Sequence, residues 1–160
     1  MSETPQIDRP DMPADYGLKP IKNAADLLSW QWAEERLTAS RNYWVSTVDS
    51  NGRPHTTPVW GLWYEGAFYF GTSMQSQKAR NLAVNPAIVV NLESGDEVVI
   101  LEGTAVVITE SGLVTQLNDA YQEKYNIKAL QEGGVYCLRP EKVMAWYESD
   151  FPWTATRWRF

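Results

Sequence analysis

Between Tyr43 and Ile108 the chain is cut into short strand-forming runs by turns too tight to let the next run lie anywhere but beside the last. Tyr43 to Val48 is rich in aromatic and β-branched residues and stops at Asp49-Ser50-Asn51-Gly52. His55 to Tyr64 and Ala67 to Thr72 flank Glu65-Gly66, a two-residue hairpin signal. Ala87 to Leu92 and Glu97 to Ile108 flank Glu93-Ser94-Gly95-Asp96. Parallel strands need long crossovers, so connections of this length impose antiparallel neighbours. Val135 to Leu138 and Val143 to Tyr147 are expected to close the sheet as two strands interrupted at Arg139-Pro140. Helical periodicity predicts three helices: Asn23 to Ser40 with Asn23 as N-cap, Ser76 to Val84 stopped by Asn85-Pro86, and Ser111 to Tyr125. Strands outnumber helices, which predicts a mainly β chain: an antiparallel barrel of six to seven strands with peripheral helices. Residues 1–22 carry Pro5, Pro10, Pro13 and Pro20 and few large apolar groups, so they read as an extended arm unable to form a packed element, free to lie across a partner subunit. Residues 23–160 form the domain.

Composition removes several function classes. A net charge of −6 is the wrong sign for a nucleic-acid surface. One cysteine and one histidine leave no transition-metal ligand set and no internal disulfide. Cys137, within Val135-Tyr136-Cys137-Leu138, reads as a small buried hydrophobe. Apolar runs are too short to span a bilayer, and the first residues lack the basic start and apolar run of a secretory signal, so a cytoplasmic location is expected. Eight Trp and eight Tyr exceed what a core of this size needs, which predicts a flat pocket or a subunit interface.

Two segments carry candidate chemistry. In Gly71-Thr72-Ser73-Met74-Gln75-Ser76-Gln77-Lys78-Ala79-Arg80 a strand runs directly into a helix whose first backbone N–H groups lack partners. Thr72, Ser73 and Ser76 add hydroxyls, and Lys78 and Arg80 add charge. Two cations in a first helical turn oppose the macrodipole, so an anion, a phosphate above all, is expected there. The plainer reading makes Ser76 an N-cap and leaves both cations solvated. In Gly52-Arg53-Pro54-His55-Thr56-Thr57-Pro58-Val59-Trp60 the prolines make the strand an edge or a ligand-facing strand, and Trp60 offers a flat surface to a heterocycle. No catalytic triad, paired carboxylates or dinucleotide fingerprint is present, and the choice of proton donor among solvent, tyrosine and His55 stays open.

The order of these pieces resembles the split-barrel flavin and deazaflavin oxidoreductases that include the pyridoxamine 5′-phosphate oxidases. The likeness rests on Asp49 to His55, Pro58-Val59-Trp60, Ser76 to Leu82, Asn85-Pro86 and Glu102-Gly103-Thr104-Ala105, and the tail Thr154 to Phe160 is similar to the C-termini of some members. It implies an FMN-binding type of split barrel, with the cofactor phosphate at Thr72, Ser73, Ser76, Lys78 and Arg80. The tricyclic ring would lie against His55, Thr56, Pro58, Val59 and Trp60, and a homodimer partner would supply the other wall. The Lys-x-Arg-Asn-Leu start is closer to members using coenzyme F-420 than to those using FMN. An Arg-x-His substrate clamp is missing near the C-terminus, which argues against the vitamin as substrate. The expected activity is hydride transfer between F-420, or FMN, and a planar conjugated small molecule. The alternative is a non-enzymatic flavin or haem carrier or stress protein.

Overall fold

The computed structural model describes residues 5–17 and 27–160. Among these residues, eight antiparallel strands and three α-helices follow in the order β1 (Gln6–Asp8), α1 (Trp30–Ala39), β2 (Asn42–Val48), β3 (Pro54–Tyr64), β4 (Ala67–Gly71), α2 (Gln77–Val84), β5 (Ala87–Leu92), β6 (Glu97–Ile108), α3 (Ser111–Tyr125), β7 (Val135–Tyr147) and β8 (Thr156–Arg159), with 3₁₀ turns at Ala14–Tyr16 and Glu148–Asp150. Strand order is β1-β8-β7-β4-β3-β2-β5-β6, and β6 also pairs with β7. Six strands therefore close into a barrel, while β8 and β1 extend the sheet from β7. Closure pairs β6 with β7, the two strands that would otherwise end the six-stranded sheet.

Two apolar layers hold this arrangement. The barrel interior contains Tyr43, Val45, Phe68, Phe70, Val90, Leu101, Leu138 and Trp158, with Ala33 and Leu37 of α1 and Ala79 and Leu82 of α2 packed against them. A second cluster joins Leu62, Tyr69, Val135 and Cys137 on the outer wall to Val114, Leu117, Tyr121 and Tyr125 of α3. Cys137 is buried, as expected, and burial pushes its thiol up.

Three expectations are corrected. β7 is one strand through Arg139-Pro140, because the ladder to β6 shifts register at Glu102/Gly103 and the bulge absorbs the missing proline N–H. Gly103 is required there: a Cβ would stand 2.8 Å from Leu138 Cδ1 and 3.0 Å from the Arg139 carbonyl oxygen. The arm does form an element, since Gln6–Asp8 pairs with Arg157–Arg159 of β8. Charge makes up for its sparse apolar content: Arg157 Nε and Nη1 reach Asp8 and Asp11 at 2.8 Å, and Arg159 also contacts Asp8. The barrel has the expected antiparallel build with six strands, and β1 and β8 are two further strands outside the closed ring. The first helix begins at Trp30, where Ser29 Oγ accepts from the Trp32 N–H; the proposed Asn23 cap lies outside the described residues.

Candidate functional site

β3 changes partners along its length, and that change creates the site. Pro54 to Trp60 pair with β2, whereas Gly61 to Tyr64 pair with β4. The first seven residues consequently have a ladder on one side and an open edge on the other, as Pro54 and Pro58 foretold. Phase follows from the prolines: at alternate positions they spare the β2 ladder when their backbone faces the open edge, where Thr56 and Trp60 then present N–H and C=O. Tyr125 supports this phase. Its Oη accepts from Gly61 N–H at 3.0 Å and lies 2.6 Å from the Arg41 carbonyl oxygen, standing in for the next rung between β3 and β2.

Side chains of the same stretch divide between two faces. His55, Thr57 and Val59 lie opposite Thr47, Val45 and Tyr43 on the core side, whereas Thr56, Pro58 and Trp60 lie on the exposed side. Buried side-chain polar atoms without a partner, among the described residues, are three arginine Nε atoms, His55 Nδ1 and Thr57 Oγ1. Buried polar groups are nearly always paired, so two orphans two residues apart on one strand leave hydrogen-bonding capacity that water or a ligand can take up.

The phosphate-binding candidates sit beside that open edge. Gly61 pairs with Phe70, so Gly71 emerges next to Trp60 and the chain turns into α2. Asn81 of α2 donates from Nδ2 to Thr47 Oγ1 at 2.9 Å, and Thr47 faces His55 across the ladder. The turn thus starts beside the Trp60 end of the open edge, and α2 packs on β2 through Asn81. Within the turn, Ser76 Oγ accepts from Thr72 Oγ1 at 3.0 Å and from Ala79 N–H at 3.2 Å, so Ser76 is the N-cap and keeps its own O–H free. Ser73 Oγ accepts from Gln75 N–H at 3.1 Å. Arg80 donates to the Gln75 carbonyl and to Gln77 Oε1, neutral acceptors that brace the turn and leave the charge uncompensated. Lys78 is half-buried with no carboxylate in ion-pair range among the described residues, and burial holds its ammonium below the usual lysine range. Asn81 belongs to the packed face of α2 together with Ala79 and Leu82. A cleft of about 420 Å³ opens between Gly71–Met74, Tyr121 and residues 129–134.

Sequence reasoning missed Thr57, Arg41, Tyr121 and Tyr125. Thr57 was legible from its two-residue spacing to His55. Tyr121 and Tyr125 share a helical stripe that reads as packing, and nothing local in the sequence joins Arg41 to Trp60.

The family model for pyridoxamine 5′-phosphate oxidase matches residues 30–147. The chain belongs to that family. No curated protein matches it. Among solved structures it is similar to a conserved hypothetical protein from Mycobacterium tuberculosis, with 23% identity, 79% of this chain and 90% of that chain covered, and a TM-score of 0.69. It is also similar to HutZ, a haem storage protein from Vibrio cholerae, with 21% identity, 69% and 86% coverage, and a TM-score of 0.56. An F420 reductase aligns at 22% identity, 69% and 94% coverage, and a TM-score of 0.52. These likenesses establish the split-barrel fold, with its six closed strands, for this member of the family. No helix among the described residues is long and apolar enough to cross a membrane.

Proposed function

We propose that the chain binds a flavin-type cofactor, F-420 in preference to FMN, and works as an oxidoreductase on a planar conjugated small molecule. The observation carrying this reading is the pair of features themselves: a β3 with an open edge along Pro54–Trp60 and unpartnered His55 Nδ1 and Thr57 Oγ1 on its inner face, and a hydroxyl-rich helix start bearing an uncompensated Lys78. The residues fit such a group. Lys78, the Ser73 and Ser76 hydroxyls and the first amides of α2 suit a phosphate, and the Thr56 backbone with His55 and Thr57 suits the polar rim of a heterocycle. When bound, the cofactor supplies hydride chemistry, and the protein's task is to bind, orient and exclude water. F-420 adds carboxylates to the phosphate, and the doubled Lys78/Arg80 charge favours the more anionic ligand.

The same proposal includes a homodimer. α1 and α2 direct their buried residues into the barrel core and α3 covers β3, β4 and β7, so among the described residues no helix covers the outer face carrying Trp44, Val48, Val89 and Ile100. A twofold partner on that face would wall the open edge of β3.

Competitive titration with F-420 and FMN, followed by turnover with added acceptors, tests the reading. F-420 binding tighter than FMN, with reoxidation only on adding acceptor, is expected; binding of neither removes the oxidoreductase. Likeness to a haem storage protein supports a second reading, a haem carrier. Under it hemin binds with a Soret shift that His55→Ala, the loss of the single histidine, abolishes.

A further inference from the structure

Two positive charges without counter-ions flank an exposed aromatic stack at the Trp60 end of β3. Trp60 and Tyr125 lie nearly parallel, with centroids 4.7 Å apart and planes 10° from coplanar. Arg41 Cζ is 5.1 Å from the Trp60 centroid and 5.4 Å from that of Tyr125. The exposed guanidinium thus makes a cation–π contact with both stacked rings. Tyr125 covers one face of Trp60, and the indole remains 40% exposed. Lys124 approaches from α3, its Nζ donating to Tyr43 Oη at 2.8 Å and to the Gly61 carbonyl at 3.1 Å. Burial, with Arg41 as the second cause, brings the Lys124 ammonium down to about 8. Among the described residues no carboxylate lies within 4.0 Å of either cation. In a chain of net charge −6, a cation pair left unneutralised beside a flat ring is a local exception to the general field.

We infer that Arg41 and the open face of Trp60 form a binding site for a planar aromatic carboxylate. The indole stacks on the ring of the ligand, and the guanidinium fork takes its carboxylate from the side. This deepens the proposed function by giving the class of acceptor, and it rests on that reading only for the ligand's role as substrate. Position is compatible with both occupants. Trp60, which the family resemblance gives to the tricyclic ring, is here assigned to the second ligand: Thr56 and Trp60 share a face four residues apart, about 13 Å along the strand, and the tricycle keeps Thr56 and Pro58.

Calorimetric titration of the whole chain with 2-naphthoate and with neutral 2-naphthamide tests the site without any cofactor. The naphthoate is expected to bind about tenfold more tightly than the amide, the margin of one charge-assisted contact at a part-exposed position. Arg41→Gln should bring the two affinities together, and Trp60→Leu should weaken both. Equal affinities in the unaltered chain, or an acid preference that survives Arg41→Gln, would overturn the assignment. The same variant titrated with FMN and F-420 separates the two readings. Unchanged cofactor affinity is expected, a tenfold loss there would transfer Arg41 to the cofactor and overturn its role toward substrate, and failure of both cofactors to bind the unaltered chain would remove the cofactor reading while the naphthoate comparison stands.

Discussion

Replacing Lys78 tests the cofactor site most directly, because the structure separates the cost to binding from the cost to folding. The ammonium is half-buried, unpaired with any described carboxylate and held below the ordinary lysine value of 10.5 by loss of solvent. It also stands in the first turn of α2, where the macrodipole disfavours a cation. Both effects make the charge unfavourable in the empty protein. Its folded value is depressed, so the empty protein gains stability as pH rises from that value toward 10.5, the neutral amine being the form that burial prefers. A bound phosphate reverses this balance. Lys78→Met keeps the aliphatic stem and removes the charge, and should leave the melting temperature of the empty protein unchanged or slightly raised. A charge-assisted hydrogen bond is worth about 1.5–3 kcal/mol, and partial exposure puts Lys78 in the lower half of that range. The dissociation constant for F-420 should therefore rise about 10- to 30-fold at low salt. The gap should narrow as salt rises, because screening weakens the wild-type contact. Fluorescence titrations of both proteins at two ionic strengths give the affinity ratio and its salt dependence, and thermal melts of the empty proteins give the stability change. Superimposable curves at low salt, from a normally melting variant, would refute the assignment of Lys78 and with it the anchor of the phosphate site.

Three other outcomes are expected. Light scattering at micromolar concentration should give the mass of a dimer, since an interface on the order of 2,000 Å² persists at that dilution; a monomer mass would leave the open β3 edge without its second wall. Gly103→Ala should cost about 1–3 kcal/mol by denaturant unfolding, because its Cβ meets backbone as well as side chain: the Arg139 carbonyl at 3.0 Å and Glu141 N at 3.2 Å, neither able to withdraw. Acid should release β1: hydrogen bonding from Arg157 holds the Asp8 carboxyl below its usual range, so the tie is complete above about pH 4 and is lost as pH falls through the lowered value. Amide exchange at Gln6–Asp8 should accelerate across that fall, and Asp8→Asn should show the fast exchange at every pH.

Much of the barrel was legible because its signals are local. Ala87–Leu92, Glu97–Ile108 and Ser111–Tyr125 begin and end where residue type, turn chemistry and periodicity place them. The helix start at Ser76 to Arg80 was legible for the same reason, since an N-cap, its hydroxyl neighbours and the adjacent cations lie within one turn of chain. Tertiary structure alone decided the rest. The bulge at Glu102/Gly103 lets Pro140 sit inside a continuous strand, and no property of Arg139-Pro140 reveals that the opposing strand carries a glycine at the matching position. β1 exists because Arg157, nearly 150 residues away, offers its guanidinium to Asp8 and Asp11. The meeting of Trp60 with Tyr125 and of Lys124 with the Gly61 carbonyl depends on α3 returning across the outer wall of the barrel. Backbone preference and hydrogen bonding to near neighbours act over a few residues and are written in order along the chain. Register, bulges and the charges that meet across a closed sheet depend on which distant segments become neighbours, and closure of the barrel settles that.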